Sequence, residues 1–176
     1  MSRTGSSRWL IGLALLAITA TTLLGRPAGA SAFEAPGDLA VIRMVAAEQA
    51  LLDLTNVDRA ANGLPALDFD PETLDIARLR AASQLGPNNL THYDETGLLA
   101  FVRLLQASGL PYGLAGENLA RSSNPGEDVI AQIEGALMQS PTHRKNILEQ
   151  RFNRAAIGAA KDANGRVAFA EIFRGE

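Results

Sequence analysis

The 176-residue chain contains no cysteine. That excludes disulfide bridges, thiolate zinc sites, iron–sulfur clusters and cysteine nucleophiles. Histidine is nearly as scarce, with His92 and His143 the only two. Aromatic residues make up just 5% of the chain, and without disulfides its stability must rest on apolar packing, for which 47% hydrophobic residues are available. Positive charge is also in short supply: the net charge is −3. A chain of this balance is a poor match for nucleic acid, which is bound through clustered Lys and Arg. The local exception, Arg144, Lys145, Arg151 and Arg154, reads as a solvated face. Neither an internal repeat nor a low-complexity tract follows the first 32 residues.

What is present begins with an export signature. Arg3 and Arg8 precede an apolar run from Trp9 to Leu24, and Ala28-Gly29-Ala30-Ser31-Ala32 follows. This is the layout of a secretory signal peptide over residues 1–32, with cleavage after Ala30 or Ala32. The run is shorter than the roughly 20 apolar residues of a membrane span; an uncleaved anchor is the alternative. With no cysteine at the cleavage site, a lipoprotein is excluded. The protein is therefore expected to be exported, periplasmic or secreted, with no transmembrane span after cleavage. Cleavage after Ala32 removes Arg3, Arg8 and Arg26, leaving 144 residues at a net charge of −6. Residues 33–39 read as a short linker and 40–176 as one domain.

Within that domain, apolar residues recur at helical spacing from Asp38 until Asn62-Gly63, where glycine suits the left-handed position after a helix. Asp70-Pro71-Glu72 reads as the start of a second helix, with Asp70 as its N-cap, running to Gly86. A third helical stretch covers Leu98 to Leu105. Tyr112 to Gly116 reads as a glycine-rich loop leading into Glu117. A fourth helix starts at Glu127-Asp128, and Ser140-Pro141 opens a further turn, with Ser140 as a hydroxyl N-cap. The C-terminus reads as a β-hairpin: two apolar runs, around 156–160 and 167–173, flank Asp162-Ala163-Asn164-Gly165. Helices first and strands last indicate an α+β domain with an antiparallel sheet covered by helices.

Three residues stand in unusual local contexts. Glu117 lies between a glycine and the Asn118-Leu119 pair. His92 sits in Leu90-Thr91-His92-Tyr93-Asp94, and His143 in Ser140-Pro141-Thr142-His143-Arg144. Two imidazoles and a carboxylate converging on one polar site suit divalent metal binding, acid–base catalysis or a packed polar cluster. As the third residue of a helix, His143 would be kept neutral by the helix dipole. Asn118 is expected to tie loops together, Tyr93 and Tyr112 to pack at the rim, and Asn56 and Arg59 to anchor the first helix.

Four segments carry a family resemblance. Leu52 to Leu67 resembles the first helix of bacterial CAP (SCP-like) domains. Gly116-Glu117-Asn118-Leu119-Ala120 is similar to that family's central motif, and Ser140 to Leu148 to its later histidine motif. Gly158 and Phe173 match its closing segment. The resemblance spans residues 40 to 174. It implies a three-layer α–β–α sandwich with a central antiparallel sheet and an open cavity. By position it assigns His92 and His143 to the cavity as candidate metal ligands, zinc included, together with Glu117 and Asn118. Glu117, His92 and His143 are likewise the candidate catalytic residues. A second cavity acid is usual in animal and plant members, but this chain has none at the matching place. Glu134, one helical turn earlier, is a candidate substitute, and Leu137 stands where tryptophan is common. The resemblance thus implies an exported module binding a lipid, small-molecule or protein ligand. The alternative is a divalent-metal-assisted hydrolase acting on peptides or cell-wall material, with Glu117 as general base.

Overall fold

A computed structural model describes residues 36–175 except 89 and 124, with side chains from residue 44 onward. The segment read as a signal peptide lies outside the described residues. The described residues form five helices and four strands in the order α1 (Pro36–Ala61), β1 (Asp68–Phe69), α2 (Leu74–Ser83), α3 (Ala100–Ala107), β2 (Leu114–Ser122), α4 (Val129–Gln139), α5 (Pro141–Ile147), β3 (Arg154–Lys161) and β4 (Val167–Gly175). No helix among them is long and apolar enough to cross a membrane.

The strands form one sheet in the order β1-β3-β4-β2. Its centre is the expected hairpin: β3 and β4 pair antiparallel from Arg154↔Arg174 to Lys161↔Val167. Gly165 takes φ +85° in the turn, where the Asp162 side chain accepts from the N–H groups of Asn164 and Arg166. The sheet is mixed rather than purely antiparallel, because the two-residue β1 runs parallel to β3.

Strand alternation sorts the core into two faces. Ile157, Phe169 and Phe173 pack with Leu51 and Leu52 of α1, Ile133 and Leu137 of α4 and Ile147 of α5. Ala156 and Ile172 face the other way, against Ile76 and Ala77 of α2 and Phe101 and Leu105 of α3. The result is the expected α+β three-layer sandwich, α1, α4 and α5 on one side and α2 and α3 on the other. Close contact between layers depends on Gly158, where a Cβ would run into the backbone of Ala77 and Arg78.

Anchors expected from the sequence hold α1 in place. Arg59 is fully buried and donates to the carbonyls of Pro65, Ile147, Glu149 and Phe152. Asn56 exchanges two hydrogen bonds with the backbone of Leu67.

Two local expectations are corrected. Residues 114–122 are an edge strand paired along its whole length with β4, so Glu117 does not lie in a loop. Gly116 serves close packing rather than a turn: a Cβ there would meet the Phe152 ring at 3.0 Å and Asn146 at 3.2 Å. The second helix begins at Leu74, not near Asp70, and ends at Ser83 rather than Gly86. Asp70 cannot cap it, because its carboxylate is taken by Arg174 (2.6 and 2.8 Å) and the Thr73 hydroxyl (2.7 Å).

Candidate functional site

The site is built around β2, the edge strand. Successive side chains on a strand point to opposite faces, so Glu117 and Asn118 serve different layers. Glu117 turns to the α2 side and Asn118 to the α5 side.

Arg80 of α2 meets Glu117 with a two-pronged grip, Nε to Oε1 at 2.7 Å and Nη2 to Oε2 at 3.2 Å. Both side chains are almost wholly buried. This fork-to-carboxylate geometry is the strong form of an ion pair. His92 Nδ1 lies 2.7 Å from Glu117 Oε2. The carboxylate accepts, so Nδ1–H donates, and Nε2 is left as the nitrogen available for a ligand. His92 is itself held by its backbone. Arg80 Nη2 donates to the Thr91 carbonyl (2.7 Å), the Thr91 N–H donates to Gln84 Oε1, and the His92 carbonyl accepts from Ala100. Arg121, further along β2, donates to the carbonyls of Gln84, Gly86 and Asn88 and fixes the start of the same loop.

From the opposite layer, His143 is the third residue of α5, as its spacing implies. Its pKa is lowered from 6.5, first by burial and then by the charge of nearby His92. The helix end is not among the causes. Asn118 joins the layers: its amide donates to the His143 carbonyl (3.2 Å) and to Glu171 Oε2 (2.8 Å), while Asn146 donates to its Oδ1 (2.9 Å). Asn118 thus ties segments together, as expected.

Beside His143 a hollow of about 400 Å³ opens between β2 and α4. Leu119, Val129, Ile133, Ala136 and Leu137 supply its apolar walls, and Gln132, Ser140 and His143 its polar ones. Ser140 ends α4 and precedes α5, but its hydroxyl contacts the Thr142 hydroxyl (3.2 Å) and makes no cap bond to the helix. Tyr93 is exposed near His92, whereas Tyr112 packs against the α2–α3 cluster, away from His92 and Glu117.

Glu134, the candidate substitute for the second acid, is buried, and its hydrogen-bond partner is Thr55 of α1 rather than either imidazole. The Thr55 hydroxyl lies 3.2 Å from its Oε2, and Asp58 is its other polar neighbour. Zinc chemistry normally requires three protein ligands around one open position. Here Glu117 spends both oxygens on Arg80 and His92. Among the described residues, no three His, Asp or Glu side chains are placed to hold a metal. The residues present do not fit a resident three-ligand zinc centre. They make instead a pair of imidazoles, one of them oriented by a buried carboxylate.

Arg80 was not among the residues singled out from the sequence, although a signal for it exists. It shares the buried face of α2 with Ile76, Ala77 and Ala81. An arginine on an apolar stripe implies a buried partner.

Residues 52–173 match the model of the family described as CAP, the cysteine-rich secretory protein family. YkwD of Bacillus subtilis, an uncharacterized protein, is 32% identical over 111 residues, 63% of this chain and 41% of its own length. An extracellular SCP-domain protein from Bacillus anthracis superposes with a TM-score of 0.64 at 28% identity, over 76% of this chain and 41% of that one. An outer surface protein of Borrelia burgdorferi shares the fold, with a TM-score of 0.61 at 16% identity over 74% of this chain and 92% of its own. This chain thus spans less than half the length of the two Bacillus proteins.

Proposed function

Because the chain belongs to the cysteine-rich secretory protein (CAP) family, we propose that it is an exported binding module. Residues 1–32 direct export, and the cavity flanked by His92 and His143 takes the ligand. The observation that carries this reading is the commitment of Glu117. Its carboxylate is closed off from solvent and both oxygens are engaged. A general base must reach the proton it removes, and Glu117 instead fixes the tautomer of His92. That leaves the Nε2 of an oriented His92, with the half-buried His143 lining an apolar hollow. That combination suits a ligand with a polar head and a short apolar body, such as a fatty acid.

A dansyl-labelled fatty acid titrated into the full chain tests this. Saturable fluorescence enhancement is expected, lost in Ala136→Phe, where an exposed residue of α4 grows into the mouth of the hollow. His143→Ala should weaken the same binding by removing a polar contact. Absence of saturable binding, or equal binding by wild type and Ala136→Phe, would overturn the assignment of this hollow.

A further inference from the structure

The face of the sheet carrying Asn118 holds a second polar cluster that the imidazole site does not use. Glu134 of α4 is 4% exposed and Glu171 of β4 is 1% exposed. Between them stands the hydroxyl of Thr55 on α1. It lies 3.2 Å from Glu134 Oε2, 3.0 Å from Glu171 Oε1 and 3.0 Å from the Leu51 carbonyl. These are three acceptors around a group with one hydrogen to give. A carboxylate can approach a hydroxyl this closely only if a hydrogen lies between them. Thr55 satisfies one acceptor at most, so a carboxyl proton must supply another contact.

A second observation points the same way. Glu134 Oε1 is buried with no donor to serve it. The other neighbour of that carboxyl is Asp58, which as a carboxylate only accepts. A protonated Glu134 resolves the conflict by becoming a donor itself. Among the described residues, no cation is bonded to the cluster to relieve it. Asn118 faces it from β2 and the apolar Ile157 lies opposite Glu171 on β3. On the α5 side the contact is the His143 carbonyl, through Asn118. From α1, Asp58 and Thr55 face it, while the guanidinium of Arg59 is committed to four carbonyls elsewhere. Burial accordingly pushes Glu134 up to about 9, helped by the charges of Glu171 and Asp58. Glu171 is also raised by burial, opposed by its bonds from Asn118 and Thr55.

We propose that Glu134, Glu171 and Thr55 form a proton-binding site that holds one proton at neutral pH and joins α1, α4 and β4 only while it is occupied. In alkaline solution the carboxylic O–H bond breaks, hydroxide takes the proton to form water, and two adjacent buried carboxylates remain. Their repulsion then loosens the seam. The folded chain holds the proton more tightly than the unfolded one, so this contribution to stability is complete at acid pH. It is lost as pH rises from 4.5 through about 9.

Infrared spectra of the full chain at neutral pH test the site, because exposed carboxyl groups are then ionised. The expected result is a C=O stretching band of an un-ionised carboxylic acid, absent in Glu134→Gln, whose amide can donate as the acid does. In melting curves from neutral to alkaline pH, the wild-type Tm should fall more steeply than that of Glu134→Gln. No such band in the wild type, or parallel pH profiles for the two proteins, would overturn the proposal. If the variant fails to fold, the wild-type band decides by itself.

Discussion

Two buried glutamates, one on either side of the sheet, meet opposite fates. Glu117 faces α2 and is gripped by Arg80 at 2.7 and 3.2 Å. Glu134 sits under α1, where its polar neighbours are Thr55, Asp58 and, one bridge away, Glu171. Both are largely removed from water, so the cost of stranding a charge is similar at each. The difference lies in the partner. An arginine lets the first acid keep its charge and use it to orient His92. The second has no cation among its hydrogen-bond partners and stays neutral by keeping a proton. One layer of the sandwich thus holds the fixed charge of the site, while the other holds a charge that pH can switch on.

Removing the arginine would break this contrast most severely. Arg80→Ala leaves Glu117 buried beside His92 alone and also frees the Thr91 carbonyl. Breaking a buried pair from one side costs about 3–5 kcal/mol. Denaturant unfolding should show a loss of that size, with Glu117 then behaving as Glu134 does. A loss below about 1 kcal/mol, the level of an exposed pair, would mean that water screens the Arg80–Glu117 contact.

Asn118 is the link between the two regions, and its removal should cost less. In Asn118→Ala, Glu171 Oε2 loses the donor that Asn118 supplies and the His143 carbonyl loses its link to β2. Leaving buried acceptors unmatched costs about 1–3 kcal/mol. Since the Asn118 bond lowers the Glu171 pKa, the same variant should hold its proton to higher pH. An alkaline limb unchanged from wild type would show that Asn118 does not couple the cluster to the cavity wall.

The sequence makes some of this arrangement legible and hides the rest for definable reasons. The helices and the C-terminal hairpin follow from periodicity and turn chemistry, which act over a few residues, whereas three of the four carbonyls that Arg59 grips lie about 90 residues away. The identity of β2 does not, because Gly113 and Gly116 read as turn formers. Only the crowding of Gly116 by Phe152 and Asn146 reveals why glycine stands there. The failure of Asp70 to cap α2 has the same origin: Arg174, 104 residues away, takes its carboxylate. His92 and Glu117 do come into contact, but the sequence gives no account of what else Glu117 binds. Arg80 on the buried stripe of α2 was the overlooked signal. Glu171 is another, since it shares the core-facing side of β4 with Phe169 and Phe173.

The smallest effect is expected at His143, and it runs opposite to that of Glu134. Burial is the larger cause of its lowered pKa and the charge of His92 the smaller. An NMR titration of the His143 imidazole should therefore give a midpoint below 6.5. His92→Ala should raise that midpoint only part of the way back. The folded chain binds this proton less readily than the unfolded chain, so the stability attached to His143 is complete at neutral pH. It is lost as pH falls through 6.5 toward the folded midpoint. Glu134 contributes most at acid pH and His143 most at neutral pH, so their slopes oppose and offset each other where the two windows overlap, below 6.5. A His143 midpoint at or above 6.5 would place its ring in open solvent and remove the acid side of that balance, leaving the carboxyl cluster as the only pH-sensitive seam of the two.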